Sequence, residues 1–223
     1  MPEEPAGAEE VRPIRVLVVD DHEVLASSLA MVLDAEPDIV AAGVANTLDQ
    51  ARMMVRTVQP DVVLLDHRMP DGDGVAAIPE FRALRPDMGI VVLTASAADH
   101  VLMAAIEAGA SGFLSKTRSI DEVTAAVRAA AAGESVISPE MLARLLPRFQ
   151  RTGSHGSNDL TEREREVLAL VAEGLSNAAI ASRLVVSVHT VRNHIASMSA
   201  KLGAHSKLEA LSIAVRQGLL PDL

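Results

Sequence analysis

Cysteine is absent from the 223 residues, and so are tryptophan and tyrosine; phenylalanine occurs three times. Without cysteine there are no disulfides, no thiolate nucleophile and no thiolate metal site. The seven histidines are scattered and show no metal-ligand spacing. No apolar run reaches the roughly 18 residues that a membrane-spanning helix needs. The first ten residues hold four glutamates and no apolar block, which excludes a secretion signal and leads us to expect a cytoplasmic protein. Excess positive charge is missing too: the formal net charge of −10 argues against simple whole-chain adhesion to nucleic acid.

The charge is unevenly spread. Residues 1–153 hold 13 Lys and Arg against 23 Asp and Glu, whereas residues 154–223 hold seven of each. A polyanion is therefore repelled by the first part and tolerated by the second. Apolar residues make up 49% of the chain, enough for a sizeable core and too many for wholesale disorder. That core must be built from Ala, Val, Leu, Ile and Met. The length fits one large domain or two small ones.

The first part alternates strand-like and helix-like stretches. Apolar runs at 14–19, 38–44, 61–65, 89–93 and 111–114 are unbroken rather than alternating, which indicates strands buried on both faces. Helical patterns fall between and after them at about 22–35, 46–58, 74–85, 98–108 and 119–132. The last opens on Ser119 with Glu122 three residues on, the pattern of a capping box. Five such units predict a five-stranded parallel, doubly wound, flavodoxin-like α/β domain with function at the carboxyl ends of the strands. Four strand ends carry polar residues: Asp20 and Asp21, Asp66, Thr94, and Lys116. The second strand lacks one, as befits an outer strand.

Three carboxylates gathered at neighbouring strand ends repel one another unless neutralised, and a hard divalent cation such as Mg2+ is the natural neutraliser. The plain alternative is that Asp21 caps the first helix and Asp66 opens a turn. A hydroxyl at Thr94 and an ammonium at Lys116 add an anion site facing the cation site. A phosphoryl group on Asp66 would then bridge Mg2+, Lys116 and the Thr94 hydroxyl.

Asp20-Asp21-His22, Leu64-Leu65-Asp66-His67-Arg68-Met69-Pro70-Asp71-Gly72, Leu93-Thr94 and Gly109-Ala110-Ser111-Gly112-Phe113-Leu114-Ser115-Lys116 together resemble the receiver domain of two-component response regulators, over about residues 13–133. The resemblance implies that Asp66 accepts phosphate from a sensor histidine kinase as an acyl phosphate. It implies Mg2+ ligation by Asp21, Asp66 and the Arg68 backbone carbonyl, with Asp20 acting through water. Phe113 matches the aromatic whose rotamer follows phosphorylation, coupled to Thr94; the plain alternative is a simple core residue. One position departs from the family: Thr117 stands where proline often follows the lysine, so the geometry of that peptide bond is open.

A helix expected over 139–150 leads into a polar linker at 151–159, after which the pattern is entirely helical: 161–173, 176–183, 187–202 and 205–217. Thr161 with Glu164 forms a second capping-box pattern, and Gly174 suits a helix C-terminus. At about 100° per residue, Val191, Ile195, Met198 and Leu202 fall within roughly 60° of one another, a narrow buried stripe. His189, Asn193, Ala196 and Ala200 lie opposite, flanked by Arg192 and Ser197. Two short helices around a tight turn, the second presenting polar side chains, suit a DNA major groove; an ordinary helical bundle with a solvated face is the plain alternative.

Leu160-Thr161-Glu162-Arg163-Glu164-Arg165-Glu166-Val167-Leu168, Ala172-Glu173-Gly174-Leu175-Ser176-Asn177, Val186-Ser187-Val188-His189-Thr190-Val191-Arg192-Asn193-His194 and Lys201-Leu202-Gly203-Ala204 resemble the LuxR-type helix-turn-helix. Receiver plus this module is the layout of NarL/FixJ-type transcriptional regulators. The resulting division is a tail at 1–12, a receiver at 13–133, a linker helix and flexible linker at 134–158, and an all-α DNA-binding domain at 159–223. By position, Arg192, Asn193, Ala196 and Ser197 would face base edges, while Ser187, Thr190, His194 and Lys201 would hold phosphates. Ala196 and Ser197 depart from the polar, basic or Asn residues common there, so the groove face is sparsely charged. One copy should bind weakly and with salt sensitivity, and paired copies on half-sites, a homodimer, should bind better.

The expected function is a phosphorylation-controlled regulator that binds double-stranded DNA, with the acidic receiver shielding the last helices until Asp66 is phosphorylated. It is no enzyme in the usual sense, since it would catalyse only its own phosphorylation and dephosphorylation, with Arg68 and Ser96 setting the phosphate lifetime. A flavin carrier or enzyme on the same layout needs a Gly/Ser/Thr-rich phosphate loop after the first strand, where this chain has Asp-Asp-His-Glu. A receiver that never takes phosphate would lack part of the pocket, yet all five positions are filled.

Overall fold

The computed structural model describes residues 12–95, 98–149 and 160–220. The expected N-terminal tail up to residue 11, the linker at 151–159 and Ser96 lie outside the described residues.

The first half is built on strands β1 (Ile14–Val19), β2 (Ile39–Ala45), β3 (Val62–Asp66), β6 (Gly89–Thr94) and β7 (Gly112–Ser115). They form one parallel sheet in the order β2-β1-β3-β6-β7. Helices α1 (Glu23–Asp34), α2 (Leu48–Val58), α3 (Gly74–Leu84) and α4 (Asp99–Glu107) supply the four crossovers, and α5 (Ile120–Ala131) follows the last strand. The unbroken runs in β3 and β6 are buried along their whole length because helices cover both faces. Val16, Val18, Leu64 and Val91 point to the face shared with Ala26, Leu33, Val123 and Val127 of α1 and α5. Leu17, Val19, Val63, Leu65 and Val92 point to the opposite face, shared with residues of α2, α3 and α4. β2 is only partly buried, as an edge strand should be.

The strand ends fall within a residue or two of those read from the sequence. A two-stranded ribbon, β4 (Arg68–Met69) with β5 (Gly72–Asp73), was not foreseen. It folds the chain back directly after Asp66, and Gly74 makes the return: a Cβ there would lie 2.0 Å from the Asp66 carbonyl oxygen. Asp71, at the tip, accepts hydrogen bonds from the first backbone N–H groups of α2, at Leu48 (3.0 Å) and Asp49 (3.1 Å).

Helix α6 (Pro139–Phe149) leads to α7 (Glu162–Ala172), α8 (Asn177–Leu184), α9 (Val188–Leu202) and α10 (Lys207–Arg216). Both expected capping boxes form, at Ser119/Glu122 and at Thr161/Glu164. Gly174 adopts φ +80° behind α7, as its position suggested. In α9, Val191, Ile195 and Met198 are buried against α7, α8 and α10, confirming the apolar stripe. The turn between α8 and α9 holds an exception: Val185, 90% exposed, takes the left-handed conformation at φ 55° and ψ 48°. Such a conformation is rare for a β-branched residue.

The two halves touch. Helix α10 packs on α4 and α6 as well as on α7 and α9. The Ser206 hydroxyl donates to the Ala110 carbonyl (2.9 Å), Arg216 pairs with Glu107 (3.0 Å), and α6 grips Asp99 of α4 through Arg144 (3.0 Å) and Arg148 (2.7 Å). No helix of the described residues is long and apolar enough to cross a membrane.

Candidate functional site

The carboxyl ends of β1, β3, β6 and β7 bring Asp20, Asp66, Thr94 and Lys116 together. Lys116 Nζ lies 2.6 Å from Asp66 Oδ2 and 2.6 Å from Asp20 Oδ2. Asp20, Asp66 and Thr94 are all buried, and ligand atoms of Asp20, Asp21, His22 and Asp66 lie within 4.8 Å of one another. Burial opposes the charge on Lys116, but hydrogen bonds from its ammonium to Asp20 and Asp66 outweigh this and hold its pKa above the ordinary lysine value.

Asp21 does not cap α1. The N-cap residue is His22, which makes no side-chain capping bond, so the plain reading of Asp21 as a cap fails. Instead, His22 Nδ1 sits 2.7 Å from Asp21 Oδ1 and 3.1 Å from Asp20 Oδ1. The hydrogen bond with Asp20, then the charge of Asp21, raise the His22 pKa. Asp66 Oδ1 accepts from the Arg68 backbone N–H at 3.3 Å, which orients the carboxylate after β3. A cleft of about 520 Å³ opens above the group, lined by Asp21, Asp66, Arg68, Thr94 and Lys116 among others. Phe113 is 7% exposed and packed in the core beside the sheet. All described peptide bonds are trans, including Lys116–Thr117, and the Thr117 hydroxyl instead pairs with that of Ser115 at 2.8 Å.

The second group of candidates sits on α9. Arg192, Asn193, Ala196, Ser197 and Lys201 are exposed, and His194 and Thr190 are partly buried. Ser187 is the N-cap of α9, its oxygen accepting from the Thr190 backbone N–H at 3.0 Å. Ser197 and Lys201 share a partner that sequence reasoning had placed only at a helix start: Glu164. Its Oε1 accepts from the Ser197 hydroxyl (2.6 Å), and its Oε2 from Lys201 Nζ (2.7 Å) and the Thr161 backbone N–H (2.8 Å). Burial works to raise the Glu164 pKa, but the bonds from Lys201, Ser197 and Thr161 overrule it and bring the carboxyl down to about 2. The capping-box spacing located Glu164; nothing in the sequence indicated the reach across to α9.

Sequence reasoning also missed Glu134, which follows α5. Glu134 Oε1 accepts from the Asn177 backbone N–H at the start of α8 (2.8 Å), and its Oε2 from Lys207 Nζ at the start of α10 (3.2 Å). Lys207 also donates to the Leu175 carbonyl (3.1 Å) and to Asn177 Oδ1 (3.0 Å). Burial lowers the Lys207 pKa against the pull of Glu134. Beside this junction a cleft of about 470 Å³ separates Arg192 and Ala196 of α9 from residues at the end of α5.

An acidic, lysine-closed cup at the carboxyl edge of a parallel sheet, joined to a helix-turn-helix unit, defines a signal-receiving module coupled to a DNA-binding module. Comparison with known proteins agrees. Residues 16–128 match the response regulator receiver domain, and residues 158–214 match the bacterial regulatory proteins of the luxR family. The chain is 35% identical over 209 residues to the transcriptional regulatory protein LiaR of Bacillus subtilis, covering 93% of this chain and 99% of LiaR. It is 34% identical over 203 residues to the DNA-binding transcriptional activator DevR/DosR of Mycobacterium tuberculosis, covering 90% and 94%. A solved structure of the RcsB response regulator of Salmonella typhimurium is similar at 26% identity and a TM-score of 0.54, covering 90% of this chain and 97% of that one. The chain belongs to the NarL/LuxR family of two-component response regulators, transcriptional regulators that pair a receiver with a LuxR-type DNA-binding domain.

Proposed function

We propose that Asp66 is the phosphoacceptor and that its phosphorylation by a sensor histidine kinase controls DNA binding by α9. The observation that carries this reading is the convergence of Asp66, Asp20 and Lys116 within single hydrogen-bond distances at one sheet edge. A carboxylate oxygen of Asp66 attacks phosphorus as the bond from phosphorus to the kinase's histidine nitrogen breaks, and the imidazole leaves with the electron pair. Lys116 meets the negative oxygens of the incoming group, and the Thr94 hydroxyl closes on them from β6.

Three carboxylates, of Asp20, Asp21 and Asp66, gather with the Lys116 ammonium in the cup, and the His22 imidazole lies beside them. The excess of carboxylates over ammonium and the oxygen donors of Asp20, Asp21 and Asp66 fit Mg2+. Asp21, Asp66 and the Arg68 carbonyl would hold the ion, with Asp20 acting through water. Once bound, it spreads the charge that develops on the phosphoryl oxygens. The chain turns over no external substrate; its chemistry is its own phosphorylation and dephosphorylation, with Arg68 at the mouth of the cleft governing access of water.

Thr94 ends β6 and α4 begins five residues later, so an inward pull on Thr94 acts on Asp99, the residue that Arg144 and Arg148 of the linker helix hold. That route, with Phe113 repacking beside it, links the cup to α6 and α10. The receiver spans residues 13–133 and the DNA-binding domain residues 159–223. In the arrangement described, Arg192 and Ala196, though exposed, border the cleft between α9 and the end of α5, which supports partial shielding by the receiver. On release, Arg192, Asn193, Ala196 and Ser197 read base edges, while Ser187, Thr190, His194 and Lys201 hold phosphates. Two copies on paired half-sites supply the affinity that a neutral domain lacks. The protein works in the cytoplasm, within reach of the kinase and the chromosome.

Acetyl phosphate with Mg2+ should add one phosphoryl group to the full-length chain by intact mass and tighten its binding to promoter DNA. Asp66→Asn should do neither. Labelling that persists in Asp66→Asn would overturn the assignment, and equal DNA affinity with and without phosphate would overturn the switch.

A further inference from the structure

Glu164 sets the direction of a hydrogen bond on the exposed face of α9. A serine hydroxyl carries one hydrogen and two lone pairs, and an ionised carboxylate only accepts. The 2.6 Å contact between Ser197 Oγ and Glu164 Oε1 therefore spends the single Ser197 hydrogen on Glu164. Glu164 is 3% exposed and stays ionised, being held by Lys201 and Thr161 as well. Ser197 itself is exposed on the face of α9 that carries Arg192, Asn193 and Ala196. What it offers outward is a pair of lone pairs and no donor.

We infer that Glu164 is a specificity-determining positioning residue: by taking the Ser197 proton it makes Ser197 an acceptor-only reader, which selects a base with an exocyclic amino group, adenine N6 or cytosine N4, in the major groove. The inference rests on the reading that α9 enters that groove. Guanine and thymine present acceptors at the same edge, and lone pair would face lone pair.

Glu164→Gln gives the sharpest contrast, because its amide has one acceptor and one donor end. The position of Oε2 takes two donors, from Thr161 N and Lys201 Nζ, so the amide oxygen belongs there. The NH2 group then falls where Oε1 lay and donates to Ser197 Oγ. The Ser197 hydrogen is freed to point outward, and Ser197 becomes a donor that favours guanine or thymine. The base that it reads should change from one with an amino group, adenine or cytosine, to one with a keto oxygen, guanine or thymine.

The test is selection of sites from randomised duplexes by the full-length chain treated with acetyl phosphate and Mg2+. We expect one base pair per half-site whose preference, about two- to tenfold for a single hydrogen bond, is lost in Ser197→Ala while the other positions keep theirs. In Glu164→Gln the preference at that pair should invert. Replacing the selected adenine by 2-aminopurine, or the cytosine by 2-pyrimidinone, removes the amino group from the major-groove edge. That should weaken the wild type by the same factor and leave Ser197→Ala unchanged. A Ser197→Ala profile identical to wild type overturns the inference, as does analogue DNA bound as tightly as the natural site, or a Glu164→Gln protein that keeps the wild-type preference for an amino-bearing base. Ser197 lies on the exposed face, so the Ser197→Ala and analogue results decide the matter even where Glu164→Gln folds poorly. A wild type that enriches no sequence overturns the groove reading itself and this inference with it, an outcome distinct from selection that ignores Ser197.

Discussion

Glu134→Gln probes the junction between the two halves without changing side-chain shape. In the structure the carboxylate joins the first backbone N–H of α8 to the Lys207 ammonium, whose side chain is 3% exposed. A glutamine there keeps one acceptor oxygen for two donors, so either the Asn177 N–H or the Lys207 ammonium loses its bond and meets an NH2 group instead, and the charge opposite Lys207 is gone. A hydrogen bond to a charged group contributes about 1.5–3 kcal/mol. Lys207 and Asn177 regain water when the DNA-binding domain swings away, so the loss falls on the docked arrangement alone. At about 1.4 kcal/mol per factor of ten, the equilibrium moves about ten- to a hundredfold toward the released form. DNA affinity scales with the competent fraction. Unphosphorylated Glu134→Gln should therefore bind labelled promoter duplex about ten- to a hundredfold more tightly than the unphosphorylated wild type, up to the affinity of the phosphorylated form, which should itself be unchanged. Fluorescence anisotropy at fixed salt measures all four constants. If the two unphosphorylated proteins agree within about twofold while phosphorylation still tightens wild-type binding, the Glu134 junction does not hold the domains together, and this reasoning fails.

Two further outcomes concern the DNA-binding half. The Glu164 carboxyl lies at about 2 against an ordinary 4.5. A depressed acid stabilises the fold above its unfolded pKa and loses that contribution as pH falls toward its folded value. At about 1.36 kcal/mol per pKa unit, discounted for the solvent around Ser197 and Lys201, Glu164→Gln should cost about 1–3 kcal/mol at neutral pH, with the gap to wild type closing between pH 4.5 and about 2. Urea unfolding across that window checks it, and a pH-independent gap would contradict it. Val185→Gly should raise the melting temperature: the left-handed conformation costs an L-residue about 1–2 kcal/mol, glycine gives back about 0.4–1 in chain entropy, and a side chain this exposed loses no packing. Unchanged or lower stability by calorimetry would show that the turn carries no strain.

Much of the receiver was legible because its signals are local. Unbroken runs such as 61–65 and 89–93 can be strands only if both faces are covered, and five of them separated by helical patterns leave few parallel topologies. Asp20, Asp66, Thr94 and Lys116 were identifiable because each ends a strand or follows directly on one, and all parallel strands end at one edge. The capping boxes at Ser119 and Thr161 were legible for the same reason, their partners being three residues apart.

What escaped were the pairings outside the strand-end cup between groups distant in the chain. Ser197 and Lys201 read as free groove residues because wheel geometry gives a direction and no partner; Glu164, more than thirty residues earlier, claims a hydrogen from each. The ribbon after Asp66 escaped because two-residue strands have no period to detect. Helix α10 read as an ordinary last helix, yet it is wedged between α7 and α9 on one side and α4 and α6 on the other.

The sequence by itself determined the class of protein, the strand and helix register and the acidic strand ends, because periodicity, caps and chain reversal act over a few residues. Only the tertiary structure decided which charges meet: Lys116 between two aspartates, Glu134 on Lys207, Glu164 beneath Ser197. Electrostatic and hydrogen-bond partners are chosen by distances of a few ångströms, and no spacing along the chain encodes a distance across it.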